Sequence, residues 1–340
     1  MPLLLPLFGC PPQTGQITDT PPPSVAEPRE LSEIVQAVND NAERLTQALW
    51  SNSVHVTARF LDRKGKEHIY TFDGSLLFKR PRYLRMDLRH GLGTPVMQVG
   101  SNDEFYWCWI EPEMEQMWWG RHVYAGKSCV KSVTVRPEQM VAALGIGGLP
   151  PVDDDLIGPL RSFGREFDIL YYAAPDDEHG RRFVRQYYID RAPPHQIRLI
   201  AFLDRFGRKE MTAYLDDYKP AWEGGPWVAH AVSIFWPKDE SKFTITMDRA
   251  AGRSEDQVSD KAFLLPTPEQ LPAAVRRNVE QLDADCDRLD RLRLEANETG
   301  LGDGTPTDTD GPASDADDAA TNVDDDANDD AQSDDGRPIE

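Results

Sequence analysis

The residues that could carry covalent chemistry do not form a catalytic pattern in this sequence. It contains no Gly-x-Ser-x-Gly turn, no His-Glu-x-x-His helix and no phosphate-binding loop, and the glycines of residues 145–148 lack the spacing of a dinucleotide-binding turn. The seven histidines are scattered, and His55 and His122 fall on predicted strands, where a structural role is the usual one. The aspartates of residues 153–155 could hold a cation, but a solvated loop is the favoured interpretation. We therefore predict no enzyme, no cofactor and no metal site.

Cys10 has the sequence context of a modification site. It follows Leu7-Phe8-Gly9 at the end of a short apolar run, a pattern that resembles a bacterial lipobox, in which the cysteine is diacylated after cleavage. The run is short for a signal peptide and lacks a basic n-region, which indicates that the true start lies upstream. A chance cysteine in a frayed N-terminus is the alternative. We predict a truncated signal peptide with its lipobox over residues 1–10 and lipidation at Cys10.

The three other cysteines have no metal-binding spacing. They are Cys108, Cys129 and Cys286. Cys108 and Cys129 lie in or beside neighbouring predicted strands and could pair in an oxidising compartment, although spacing alone does not fix the connectivity.

Composition divides the chain into a tether, a body and a tail. Prolines mark residues 11–28 as an extended tether. Residues 297–340 contain thirteen aspartates, two glutamates and one arginine, a net charge of −14, which leaves −7 for the rest of the chain. Such a segment cannot bury enough apolar surface to offset its ordering entropy, so we predict a disordered acidic tail. Without a concentrated basic face, no nucleic-acid partner is expected.

Residues 29–296 carry the patterns of a folded domain with a charged C-terminal helix. Leu84, Met86 and Leu88 alternate with polar residues, which is typical of a half-buried strand. Residues 32–49 have helical spacing, with Ser32 as a candidate N-cap. Residues 137–144 read as a short helix and residues 269–295 as a mostly helical segment. Further strands are predicted over residues 54–60, through Tyr70 and Phe72, through Phe78, Met86 and Val99, and over residues 105–110, 117–124, 167–172, 183–190, 197–204, 209–215, 227–236 and 242–248.

Several of these elements occur in the order found in the LolA/LolB family of periplasmic lipoprotein carriers and receptors, which residues 32–266 resemble. The resemblance implies an α+β fold in which a curved, unclosed antiparallel sheet, or half-barrel, wraps over helices. It also implies that residues 261–266 form the strand that closes the sheet. The segments that carry it are residues 74–81, Leu84 and Met86, and residues 101–103, 112–116, 188–190 and 261–266.

The resemblance also implies a binding site. In the family, acyl chains occupy an apolar hollow on the concave face of the sheet, and an arginine that corresponds to Arg80 hydrogen-bonds lid helices when the hollow is empty. Period 2 places Arg80 on the face of Leu76 and Phe78, and the lid could be residues 137–144 or the N-terminal helix. An exposed arginine at a strand end is the alternative. The predicted ligand-binding residues are Leu76, Phe78, Leu84, Met86, Trp107 and Trp109.

The function implied is non-catalytic. We expect an envelope lipoprotein, anchored through Cys10 and facing the periplasm, at the outer membrane in preference to the inner. It would accept or transfer an acylated lipoprotein or lipid, with another envelope carrier protein as a further partner. The alternative is a tethered structural or interaction lipoprotein with a filled core. A third possibility is an enzyme that uses the aromatic strand 105–110 as a substrate groove, but the sequence contains no set of catalytic residues to support it.

Overall fold

The computed structural model describes residues 29–298, apart from residues 62–64, 92, 112–113, 132, 134–135, 154–155 and 177–179. The α-helices of this region are α1 (Leu31–Glu43), α2 (Pro137–Ala143) and α3 (Ala284–Glu298). The strands are β1 (Ala48–Leu61), β2 (Glu67–Lys79), β3 (Tyr83–Arg89), β4 (Pro95–Ser101), β5 (Phe105–Ile110), β6 (Gln116–Arg121), β7 (Ile157–Phe163), β8 (Phe167–Asp176), β9 (Gly180–Asp190), β10 (Ile197–Leu203), β11 (Lys209–Pro220), β12 (Trp227–Trp236), β13 (Ser241–Met247), β14 (Ala251–Arg253) and β15 (Val279–Gln281).

These strands belong to one sheet that does not close. Its order is β15-β6-β5-β4-β3-β2-β1-β13-β12-β11-β10-β9-β8-β7, with β14 paired to β1 beside this path. Two antiparallel meanders, β1–β6 and β7–β13, are joined where β1 pairs with β13. The short pair of β15 with β6 is parallel. The chain divides into a unit that ends at Asp290 and a second that begins at Arg291, and the sheet, α1 and α2 belong to the first.

Period-2 alternation decides which side of each strand is buried. Leu76 of β2 pairs with Met86 of β3, and Phe78 pairs with Leu84. All four side chains are at most 1% exposed. The row continues into β4, where Val99 pairs with Met86. Side chains at every second position share a side of a strand, so this row forms one continuous apolar face, the inner face of the sheet.

Helices α1 and α2 cover the inner face, and the sheet curves around them. Ile34 of α1 and Met140 of α2 belong to the same buried cluster as the inner row. Helix α2 contacts β4 and β5 as well as β11 and β12, although four strands separate β4 from β12. In a flat sheet these two strands would lie about 24 Å apart, more than twice the ~10 Å diameter of a helix. The predicted fold class, a curved unclosed sheet over helices, is therefore confirmed.

Residues 260–283, here called the strap, cross the outer face of the first meander. Asn102 Nδ2 donates a hydrogen bond of 3.0 Å to the carbonyl oxygen of Phe263. Further along, Leu271 and Val275 are buried against the aromatic side of β5 and β6. The strap then adds β15 to the edge of β6, so the edge strand of the first meander is paired instead of free.

The strap is fastened beyond the end of β6. A disulfide joins Cys129 to Cys286. Asp283 is fully buried and accepts hydrogen bonds from the backbone N–H and from Nε of Arg121, at 2.8 and 3.0 Å. The prediction that Cys108 and Cys129 could pair is wrong, because Cys108 is a free thiol buried on the inner face of β5.

The first predicted helix ends earlier than expected. The helix predicted over residues 32–49 stops at Glu43, and Ala48 already begins β1. Its N-cap is Glu30, without a side-chain cap bond, so Ser32 is not the cap. The apolar residues after Glu43 fit a strand as well as a helix, and pairing with β14 and β2 decides for the strand.

The C-terminal prediction also needs correction. Residues 261–266 do not form a closing strand, because Asp260–Phe263 is a 3₁₀ helix on the outer face. In the segment predicted to be helical over residues 269–295, the α-helix begins only at Ala284. Pro272 interrupts the preceding stretch, since proline lacks the N–H that a helix interior needs. None of the described helices is long and apolar enough to cross a bilayer.

Candidate ligand-binding site

The inner face is closed by its helices in this structure. The four predicted lining residues, Leu76, Phe78, Leu84 and Met86, are 0–1% exposed and pack in one cluster with side chains of α1 and α2. The four side chains therefore share one buried face, and their role as ligand contacts stays a prediction, because α1 and α2 fill the space in which a ligand was expected. Any acyl chain that binds here must replace contacts with these helices.

Trp107 and Trp109 do not share this face, so their assignment to the same hollow is wrong. Both pack on the outer side of β5, beneath the strap, because their neighbours Tyr106 and Cys108 take the inner positions. The Trp107 ring lies over Gly100, where a Cβ atom would come within 2.1 Å of it. The sequence shows the alternation of this strand, but both of its faces are aromatic or apolar, so the pattern cannot say which one is inside.

Helix α2 is attached to the second meander by polar side chains. Gln139 Oε1 accepts a hydrogen bond of 3.0 Å from the indole N–H of Trp236, and Gln139 Nε2 donates to Glu210 at 3.3 Å. Arg136 forms an ion pair of 2.7 Å with Glu210. The amide of Gln139 is thus paired at both ends, which fixes the orientation of the helix on β11 and β12.

Toward the first meander, the contact of α2 is poorly matched. The hydroxyl of Tyr106 and Oε2 of Glu138 are both buried without a hydrogen-bond partner. Burial is the largest cause that raises the pKa of Glu138, to about 7, and the nearby Arg136 opposes it. A buried polar group without a partner typically costs about 1–3 kcal/mol. Closure of α2 over the sheet therefore carries a penalty that an open arrangement would relieve.

A small cavity of about 10 Å³ lies beside the apolar cluster, between α1 and the second meander. This is about the space of one water molecule. The lining residues are Val38, Asn41 and Ala42 of α1, Gly145 and Gly148 after α2, and His195, Gln196, Ile197 and Tyr218 from the second meander. No sequence pattern indicates this cavity, because its walls come from four segments that are distant in the chain.

Arg80 reaches α1. It follows the last residue of β2, and its Nη1 donates a hydrogen bond of 3.3 Å to the carbonyl oxygen of Ala42, in the last turn of the helix. The side chain is otherwise at the surface. The contact with a helix that covers the inner face is therefore present, and its role as a latch stays a prediction.

The remaining candidates have structural surroundings or lie outside the description. His122 Nε2 lies 2.9 Å from the Ser101 hydroxyl, and burial lowers its pKa to about 4. His55 lies between the carboxylates of Asp73 and Asp248. Within the described residues, no group of three or more acidic, histidine or cysteine side chains could hold a metal ion. Cys10, the tether, residues 299–340 of the predicted tail and Asp154–Asp155 fall outside those residues.

The fold and the site together define a half-barrel protein in which two helices cover an apolar inner face. A scan against family models gives no match, and a search of curated proteins gives none either.

A search of solved structures does find similar chains. An outer-membrane lipoprotein-sorting protein domain from Vibrio parahaemolyticus is 9% identical, with 68% of this chain and 96% of that chain covered and a TM-score of 0.42. LolA superfamily protein NE2245 from Nitrosomonas europaea is 12% identical, with 68% and 97% covered and a TM-score of 0.41. A DUF1329 family protein from Desulfovibrio piger is 12% identical, with 68% and 96% covered and a TM-score of 0.43. One of these structures is a member of the LolA superfamily, which the sequence motifs resemble. The sequence identities and TM-scores are too low for a cargo or a location to be transferred to this chain.

Proposed function

We propose that this chain binds the acyl chains of a lipid or lipid-modified protein on its inner face, after α1 and α2 move away, and passes them on without covalent chemistry. The observation that carries this proposal is the composition of the helix-covered face. It is continuously apolar along the first meander, yet under the closed helix the Tyr106 hydroxyl of β5 and one carboxyl oxygen of Glu138 in α2 are buried without a partner.

The energetics favour an apolar occupant. Fully exposing four large apolar side chains such as those of the inner row would cost about 6–12 kcal/mol. An empty open form is therefore rare. A hexadecanoyl chain has about fourteen methylene groups, and its burial would gain about 11 kcal/mol. Such a ligand offsets the opening cost, and it shifts the equilibrium only because it binds the open form.

The disulfide supports an envelope location. Cys129 and Cys286 are bonded, and such bonds persist in oxidising compartments such as the periplasm. We extend the proposal to an anchor at Cys10 that holds the domain at a membrane, the outer one by preference, where it exchanges cargo with another carrier. Replacing Cys10 with serine should release the protein from the membrane fraction and abolish incorporation of labelled palmitate.

A structural lipoprotein is the second candidate. The observation in its favour is the filled core, since the inner row is at most 1% exposed. In that case α1 and α2 would be permanent core elements, and no acyl ligand would displace them.

Photocrosslinking of the parent protein separates the two candidates. A diazirine-bearing hexadecanoic acid should label β2, β3 and α2 if the inner face opens, and mass spectrometry of the peptides locates the label. Label restricted to the outer face, or none above that of a denatured control, would overturn acyl binding.

A matched pair of variants gives the affinity. Leu84 is 1% exposed on the inner face, whereas Leu160 is 56% exposed on β7. Leu84→Glu should weaken a fluorescent fatty acid at least about tenfold, or ~1.4 kcal/mol, because a charge there has no partner. Leu160→Glu should leave the affinity unchanged. Circular dichroism must show both variants folded, and equal affinities in folded variants would favour the structural candidate.

A further inference from the structure

Two residues that line the small cavity beside α1 each have a buried polar side-chain atom without a hydrogen-bond partner in the structure. His195 and Gln196 line the cavity and are only 6% and 7% exposed. Nε2 of His195 and Nε2 of Gln196 both lack a hydrogen-bond partner. Most buried polar side-chain atoms in proteins have a hydrogen-bond partner, so two unpaired atoms on residues that line one cavity point to a ligand.

The two atoms have opposite hydrogen-bonding character. His195 Nδ1 lies 3.0 Å from the backbone carbonyl oxygen of Asp190. A carbonyl only accepts, so Nδ1 carries a proton, and in the tautomer with this single N–H Nε2 is an acceptor. The amide nitrogen of Gln196 is a donor. The two cavity-lining residues thus offer one acceptor and one donor.

The backbone holds the pair in place. His195 has a φ of +59°, in the left-handed region that non-glycine residues seldom adopt. Its N–H bonds to the carbonyl of Ala192 at 3.0 Å, and the N–H of Asp190 bonds to the carbonyl of Gln196 at 2.9 Å. The turn before β10 is thus closed by hydrogen bonds at both ends. Such conformations occur preferentially at functional positions.

We propose that His195 and Gln196 bind the polar head of the acylated ligand, and that this head carries both a donor and an acceptor, as an amide does. The inference rests on the proposed acyl-binding function and adds the chemical class of the ligand. Val38 and Ile197, which line the cavity, also belong to the apolar cluster. A head group in the cavity would therefore lie next to chains on the inner face once α1 moves.

The pair discriminates among head groups. An N-acyl amide can donate its N–H to His195 Nε2 and accept from Gln196. An ester has no donor, so His195 would stay unpaired. A carboxylate would place its charge against the lone pair of His195 Nε2. A merely apolar site would prefer the ester, because the amide is costlier to bury.

The test compares N-hexadecanoylglycinamide with methyl hexadecanoate on the parent protein, through displacement of a fluorescent fatty acid. The amide should bind about tenfold more tightly. Equal affinities, or a preference for the ester, would overturn the assignment of the polar pair while acyl binding stands. Failure of both probes to displace the dye, with no binding of the dye itself, would instead overturn acyl binding, and the polar pair with it.

Two variants locate the effect. Gln196→Leu should weaken the amide about tenfold, whereas Gln186→Leu, on the half-exposed outer side of β9, should not change it. His195→Asn tolerates the left-handed backbone conformation, and its shorter side chain should remove the preference for amide over ester. An unchanged preference in a folded His195→Asn variant would contradict the proposal.

Discussion

The first meander is covered on both of its faces, but the two covers are attached differently. On the outer face, the strap is tied by the Cys129–Cys286 disulfide and by the fully buried Asp283. On that side the indole N–H of Trp107 is paired with Gln98 at 3.0 Å. On the inner face, α2 leaves the hydroxyl of Tyr106 unpaired, along with a glutamate oxygen. One cover is cross-linked and satisfied, whereas the other is non-covalent and incompletely satisfied.

The difference separates a permanent cover from a removable one. Regions that move in function are drawn from the less stable parts of a fold. The strap protects a sheet edge and an aromatic surface, and nothing in its contacts would be relieved by leaving. If α2 moved away from the sheet, water could hydrate the Tyr106 hydroxyl and the carboxyl group of Glu138. We therefore expect perturbations of the strap to lower global stability and perturbations of the inner cover to change opening.

The disulfide should give the largest effect. Cys286→Ser opens a loop that spans 157 residues, and loss of such a bond typically costs about 2–5 kcal/mol. The free energy of unfolding, from urea titration, should fall by this amount. A reducing agent should do the same to the parent and nothing to the variant. An unchanged value would show that the strap does not depend on its cross-link.

The pH dependence of α2 should come next. Glu138 titrates at about 7 in the folded protein, against 4.5 for the free group. Between these values the unfolded chain has lost the proton that the folded protein keeps, so stability falls as the pH rises through this window and is constant on either side. The loss could reach about 3 kcal/mol. The charged groups that act on Glu138 are Arg136, Glu210 and Arg185.

Glu138→Gln should flatten this dependence, because the amide does not titrate. Thermal unfolding at pH 5 and pH 8 measures it, and Glu223→Gln, at an exposed position, is the control. If the parent and Glu138→Gln lose the same stability between the two pH values, the carboxyl does not strain the inner cover.

Arg80 should have a smaller effect. Its contact is one hydrogen bond of 3.3 Å to the last turn of α1, and a cation near a helix C-terminus contributes about 0.3–1 kcal/mol. Arg80→Leu should raise binding of a hydrophobic dye by the empty protein and slow the release of bound ligand, with secondary structure unchanged. Arg82→Leu, in the same exposed turn, should do neither. Identical behaviour of the two variants would reduce Arg80 to a surface charge.

Two tyrosines allow the same substitution on both sides of the comparison. Tyr124 donates to Asp290 at 2.6 Å near the strap, whereas the Tyr106 hydroxyl is buried and unpaired. Tyr124→Phe should lower the free energy of unfolding. Tyr106→Phe should leave it unchanged or raise it by less than about 1 kcal/mol, because an unsatisfied group is removed. A larger loss for Tyr106→Phe would mean that its hydroxyl is satisfied in solution.

The local pattern of the sequence determined most of the architecture. Alternation through Leu84, Met86 and Leu88 predicted β3 and its buried side, and all three are at most 1% exposed. The proline at residue 137 predicted the start of α2, where it is the first helical residue. These features depend on neighbours within a few residues, so they can be read without the fold. The domain boundaries at residues 10, 28 and 296 stay predictions.

Only the tertiary structure decided the features that join distant segments. Trp107 and Tyr106 are both apolar and adjacent, and the packing of the strap and of α2 assigned one to each face. Cys129 found its partner 157 residues away, although Cys108 is nearer in sequence. The Nε2 atoms of His195 and Gln196 are unpaired because no hydrogen-bonding group from another described segment lies within reach of them. Such features depend on which surfaces meet when the sheet curves, and a sequence pattern of period 2 contains no information about that meeting.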